Sequence, residues 1–274
     1  MARRRITEVF PFLLPLRQWQ KKLFFYTKMK FDGNKYAQEK SKDLLPYKVY
    51  ELDSLMVNRN SGFDIKYQLN KVHNIKLAAS NIDSLVIRPN ETFSFWKLIR
   101  HADKYEPYKD GLDLVNGKIE GSYGGGLCQL SNDLFWMFLH TPLTIVERHS
   151  HTVQNIPPAT EDLLVGVDAT ISEGWKDLKV KNETKYTFQI VITFDGEYMH
   201  GSILSNEKPK FNYEIFNRDI KYYRENQKII QESSVCCNRV DNMTQENREI
   251  LLYKNRCAIG YKLPENTRVL EKGE

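Results

Sequence analysis

The chain has 274 residues, a length that fits one large domain or two modest ones. Apolar residues make up 41% and charged residues 27%, the balance of a folded protein rather than a disordered or fibrous one. Forty Lys and Arg against 35 Asp and Glu leave a net charge of +5, too small an excess over this length to call for a nucleic-acid partner. The cysteines are Cys128, Cys236, Cys237 and Cys257, with no CxxC pair and no Cys–His zinc spacing. That pattern argues against a disulfide scaffold and against a zinc finger, and no cofactor motif is found.

The opening mimics a secretory signal only briefly. Arg3, Arg4 and Arg5 are followed by Glu8, then by a short apolar run broken by Pro11 and Pro15, with no small-residue cleavage site. No stretch is apolar enough to span a bilayer. The expected location is therefore cytoplasmic. Residues 1–30 are also basic and aromatic: Arg17, Lys21, Lys22, Lys28 and Lys30 interleave with Trp19, Leu23 and Tyr26 at helical spacing. Such a helix either lies peripherally on the inner, anionic membrane face or docks on its own domain through those aromatics.

Further along, Val72, Ile75, Ala79, Ile82 and Val86 form one apolar stripe and predict a helix over 67–86. Arg88-Pro89-Asn90 breaks it, and ETFSFW at 91–96 reads as a short strand. Residues 105–126 read as a loop because of Gly111, Gly117, Gly121 and the run Gly124, Gly125, Gly126. A second helix begins near Leu127, buries Leu127, Leu130, Leu134 and Phe138, and stops at His140-Thr141-Pro142. Beyond it come short β-rich runs: LTIVER, LLVGVDATI, DLKVKN, YTFQIVITF and YMHGSIL, the last two joined at Asp195-Gly196. YEIF, IKYY, KIIQE and EILLYKN continue the β pattern. Helices early and antiparallel strands late make the class α+β. The expected division is an N-terminal segment 1–60, a core 61–205 and a β-rich extension 206–274.

The densest chemistry runs from Gly121 to Phe135, GSYGGGLCQLSNDLF. The glycines let the backbone turn sharply and approach a ligand closely. Cys128 falls in the first turn of the helix, where free amides and the positive end of the dipole favour thiolate and could hold an oxyanion. Gln129 could add a donor. His149 and His151, in ERHSH, are expected on one face of a strand, and either could act as base for the thiol. Asp168, in VDAT on the next predicted strand, could orient the imidazole. The same three groups, His149, His151 and Asp168, also read as metal ligands, and Cys128 reads equally as a packed core thiol, with Asp168 as a turn residue.

At these residues the chain resembles the VanW family. PNETFSFW at 89–96, GGGLCQLSNDLF at 124–135 (with Ser131 in a GGGxCQxS core), ERHSH at 147–151 (with Arg148), VDAT at 167–170 and KNET at 181–184 carry the resemblance. It implies a link to glycopeptide resistance and cell-wall metabolism, and makes His151 the histidine of the family pattern. The order Cys, His, Asp is further similar to transglutaminase-like and papain-like enzymes. Two functions follow. In one, Cys128, His151 and Asp168 form a thiol peptidase, amidase or acyl-transferase acting on a peptidoglycan precursor or wall peptide. In the other, the chain is a non-catalytic accessory protein that binds a wall precursor or a membrane-bound partner.

Overall fold

The computed structural model describes residues 10–59, 62–115, 118–154 and 164–271. The basic start at Arg3–Arg5 and the loop glycine Gly117 lie outside them. Helix α1 (Leu14–Phe31) opens on a short 3-10 turn at Pro11–Leu13, and Pro15 suits its first turn, where an amide has no partner to lose. It docks by its C-terminal half: Tyr26 and Met29 are buried with Tyr36, and the Tyr26 hydroxyl donates to Glu173 Oε1 at 2.9 Å. The expectation that Trp19 and Leu23 share this docked face is corrected, because both are exposed.

After α1 come β1 (Lys35–Tyr36), β2 (Tyr47–Leu55) and helix α2 (Ile65–Ala79). Asp64 caps α2 by accepting from the Lys66 amide at 2.9 Å. The helix ends earlier than its apolar stripe predicts. A turn over 80–84 follows, with Ser84 at φ 64°, and Val86 belongs to strand β3 (Val86–Ile87). Ile82 stays buried in that turn, so burial continues where the helix does not. Strand β4 (Glu91–Ser94) gives way to a short helix α3 (Phe95–Ile99). The corner is fixed by buried Asp177, which accepts from Ser94 Oγ at 2.6 Å and the Trp96 amide at 3.0 Å.

Residues 105–126 are not the plain loop their glycines suggest. Strands β5 (Asp110–Val115) and β6 (Lys118–Tyr123) form an antiparallel hairpin there. Helix α4 (Leu127–Leu139) follows, ended at His140 as expected. Leu130, Leu134, Phe135, Met137 and Phe138 along it are fully buried.

The remaining strands are β7 (Thr144–Glu147), β8 (Val153–Gln154), β9 (Lys179–Lys181), β10 (Phe188–Asp195), β11 (Tyr198–Ser205), β12 (Phe211–Glu225), β13 (Lys228–Asp241), β14 (Asn247–Ile259) and β15 (Val269–Glu271). They complete three sheets in the orders β1-β4-β9-β7, β2-β11-β10-β3 and β15-β12-β13-β14-β8. Asp195-Gly196 does turn the β10–β11 hairpin, which pairs Asp195 with Tyr198. The class is α+β, with strands interleaved among the helices from residue 35 onward rather than held back to the end. Helix α4 touches all three sheets: Phe138 meets Phe93 of β4 (5.0 Å between rings), Met137 lies against Gly201 of β11, and Phe135 faces Tyr253 of β14 (6.2 Å). The N-terminus of this central helix carries Cys128.

Candidate active site

The three consecutive glycines before α4 serve distinct needs. Gly124 and Gly126 have φ of +73° and +92°, which side-chain-bearing residues rarely adopt. Gly125 lies so close to the hairpin that an added Cβ would sit 2.2 Å from the Gly111 carbonyl oxygen. Its own carbonyl accepts from Asn74 Nδ2 at 2.9 Å. The close approach at Gly125 is thus made to the chain's own backbone. The result is an abrupt entry that leaves Cys128 partly exposed in the first turn. Its Sγ lies 3.9 Å from Thr170 Oγ1.

His151 and Asp168 meet Cys128 from loops. Neither ERHSH beyond Glu147 nor VDAT is a strand, so the expected pair of strands is corrected. The two segments instead run side by side through single bonds, Thr170 N–H to His149 O at 2.8 Å and His151 N–H to Asp168 Oδ2 at 2.8 Å. Oδ2 also accepts from His151 Nδ1 at 2.5 Å, which leaves the other ring nitrogen for Cys128. The hydrogen bond to Asp168, then that to Cys128, pushes the imidazole up to about 9. The Asp168 carboxyl is held below its usual value by its bond to His151 and by the Arg148 charge, against the opposing effect of burial. Arg148 donates to Asp168 O (2.6 Å), Gly166 O (2.7 Å) and Asp168 Oδ1 (2.7 Å), and its guanidinium lies over the rings of Tyr253 (4.5 Å) and Phe135 (5.4 Å). The arrangement places a thiol, an imidazole and a carboxylate in series, the order needed for a base-assisted nucleophile.

A family model described as VanW like protein matches residues 70–204, which include all three groups. The Vancomycin B-type resistance protein VanW of Enterococcus faecalis (strain ATCC 700802 / V583) is 50% identical over 275 residues, covering 100% of both chains. The chain belongs to the VanW family. The Uncharacterized protein YoaR of Bacillus subtilis (strain 168) is 40% identical over 113 residues, 40% of this chain and 35% of its own. No solved structure matches.

Several residues of the VanW motifs take roles that differ from their sequence reading. Gln129 is not free to donate to a ligand: its Nε2 already bonds Ser54 Oγ (3.1 Å) and Leu55 O (3.0 Å), and its amide bonds Gly126 O (3.1 Å). Ser131 is buried and donates to Ala169 O at 2.6 Å. His149 turns away to Glu147 Oε1 (3.1 Å), whose other oxygen pairs with Lys179 (2.9 Å). His149 and His151 therefore do not form the one-faced pair a bidentate metal site needs, and among the described residues no group of three or more such side chains is arranged to hold a metal ion. Asn132 was not singled out from sequence, yet its Oδ1 accepts from the Ala169 amide at 2.7 Å. With Ser131 it clasps Ala169 against α4 and so sets Thr170 beside Cys128. Its signal was present in the VanW motif, one position after Ser131. Tyr253, far away in sequence, carried none.

Proposed function

We propose that the chain is a cysteine-nucleophile hydrolase or acyl-transferase acting on a cell-wall peptide or peptidoglycan precursor. The observation that carries this reading is His151, held at Nδ1 by Asp168 at 2.5 Å and interacting with the Cys128 side chain, both of which favour the charged imidazole. The Cys128 thiolate attacks an amide carbonyl carbon, and the amide of its own first turn faces the developing oxyanion. As the C–N bond breaks, His151 passes its proton to the leaving amine. The thioester then goes to water or to an acceptor amine, with His151 taking the proton of the incoming group. The series is similar to that of transglutaminase-like and papain-like enzymes, an analogy of site rather than of fold. The wall substrate is supported by the relative's name, a vancomycin resistance protein.

The test is the pH dependence of Cys128 alkylation in the folded protein. Cys236, Cys237 and Cys257 are buried, and changing them to Ser removes background. Labelling at pH 6.5 should be at least about tenfold faster in the folded protein than in the unfolded chain, and should slow in His151→Ala. Cys128→Ala should keep the melting temperature while abolishing turnover of wall peptides. Labelling that waits for unfolding would overturn the proposal.

A further inference from the structure

Helix α1 leaves an apolar face without a partner. At about 100° per residue, Leu16, Trp19, Leu23, Phe24 and Phe31 fall within an arc of roughly 140°, opposite or beside the docked line of Tyr26 and Met29. All five are exposed, Trp19 at 61% and Phe24 at 64%, and Phe12 at 76% extends the surface toward the N-terminus. Gln20 and Thr27 share the arc, and Lys30 enters it near the C-terminal end. A run of large exposed apolar side chains along one helix face marks an interaction site.

The charges say what covers it. Residues 10–31 contain no acid. Arg17, Lys21 and Lys28 line the edge of the apolar arc next to Phe24, while Lys22 is bound to Glu173 on the docked side. On that basic edge the tip of the neighbouring turn carries exposed Trp175, with the Lys21 and Lys176 ammonium groups 5.9 and 4.9 Å from its ring. Gly174 packs this turn against the helix backbone, where an added Cβ would lie 3.1 Å from the Lys22 nitrogen. Aromatic side chains beside lysines with long apolar stems suit the headgroup region of a bilayer, where the rings enter the acyl boundary and the ammonium groups reach phosphates. The core of a protein interface would instead be depleted in lysine. The helix is not apolar enough over its length to cross a membrane. We propose that α1 and the Trp175 turn form a peripheral docking surface for an anionic lipid bilayer, with the helix lying in the membrane plane.

The experiment is sedimentation of the full chain with vesicles of phosphatidylcholine alone or with about 30% phosphatidylglycerol. The wild type should bind the anionic vesicles at least about tenfold more tightly than the neutral ones and release in high salt. Leu16→Glu/Leu23→Glu/Phe24→Glu should lose about tenfold or more, with an unchanged melting temperature because each site is exposed. Lys21→Glu/Lys28→Glu should weaken binding to anionic vesicles alone. Absence of binding, equal binding to neutral vesicles, or indifference to the triple substitution would overturn the proposal. So would lipid-free dimerisation that the triple substitution abolishes, since the occupant would then be a second copy of the chain.

Discussion

Replacing Asp168 with Asn tests the linkage at the site most directly. Oδ2 accepts from His151 Nδ1 at 2.5 Å and from the His151 amide at 2.8 Å, while Oδ1 accepts from Arg148 Nη2 at 2.7 Å. An amide offers one oxygen, so whichever way it turns its NH2 group faces a donor. The bond to Asp168 is the first cause that lifts His151 to about 9, and Asp168→Asn removes its charge and leaves at best a neutral amide oxygen for the ring. Relative to the ordinary value near 6.5, the lift is worth about 3 kcal/mol at full burial. The ring is 37% exposed, so solvent screening brings it to ~1–2 kcal/mol. A raised value favours the imidazolium in the folded protein. Its stabilisation is complete below about pH 6.5 and is lost as pH rises through about 9. The variant should therefore melt lower than the wild type at pH 6, with the gap narrowing by ~1–2 kcal/mol toward pH 10. In an NMR titration the imidazole should shift toward 6.5, and Cys128 alkylation at pH 7 should slow by about tenfold or more. A wild-type His151 that titrates near 6.5, or unchanged labelling in Asp168→Asn, would refute the reasoning.

Arg148→Lys should cost ~1–3 kcal/mol in thermal unfolding, because an ammonium lacks the planar fork that reaches the three oxygens while lying over the Tyr253 and Phe135 rings; an unchanged melting temperature would count against the clamp. Asp133 on α4 has a buried oxygen without a partner, and burial pushes its carboxyl up to about 7. Its folded form prefers the proton, so stability should fall as pH rises from about 4 to about 7, and Asp133→Asn should flatten that slope in pH-dependent melts. Gly126→Ala should lower stability by ~1–3 kcal/mol, read as a lower melting temperature, since φ is +92° and the new Cβ would meet Lys71 Cγ at 2.2 Å.

Much of the architecture was legible where one periodicity dominates. The stripe of α4 and the Asp195-Gly196 hairpin follow from side-chain spacing and turn chemistry, and both are present. The β5–β6 hairpin was hidden because Gly111 and Gly121 read as loop residues. Gly111 instead admits the Gly125 carbonyl and Gly121 admits the Tyr67 ring, which are tertiary demands that local composition cannot express. The segments ERHSH and VDAT have β-like composition, yet beyond Glu147 and apart from the Thr170 N–H to His149 O bond their backbone groups bond side chains. Ser131, Asn132, Arg148 and Asp168 take the places of a strand partner. The same substitution explains the two histidines. Alternation along a strand puts both on one face, but a loop bound by Asp168 lets His149 turn to Glu147 while His151 turns to the thiol side.

The third sheet belongs to the site as much as the glycine turn does. The segment leading to Asp168 is gripped by Asn217 of β12, whose amide group bonds both polar atoms of the Val165 backbone at 2.7 and 2.9 Å, and by the Tyr253 hydroxyl on Gly166 O at 3.2 Å. The segment after His151 becomes β8, which pairs with β14, and the Ala258 amide bonds Thr152 O at 3.0 Å. Tyr253 also covers the Arg148 guanidinium. The imidazole and the carboxylate thus hang from loops whose far ends are tied to β12 and β14, while Cys128 stands on α4. Their alignment depends on the angle between that helix and that sheet. The VanW match stops at residue 204 and so includes the chemical groups but not the frame that holds two of them in line. Loops carrying reactive groups need such a rigid frame to keep hydrogen-bonded geometry. The full-length match to the Enterococcus protein spans that frame as well.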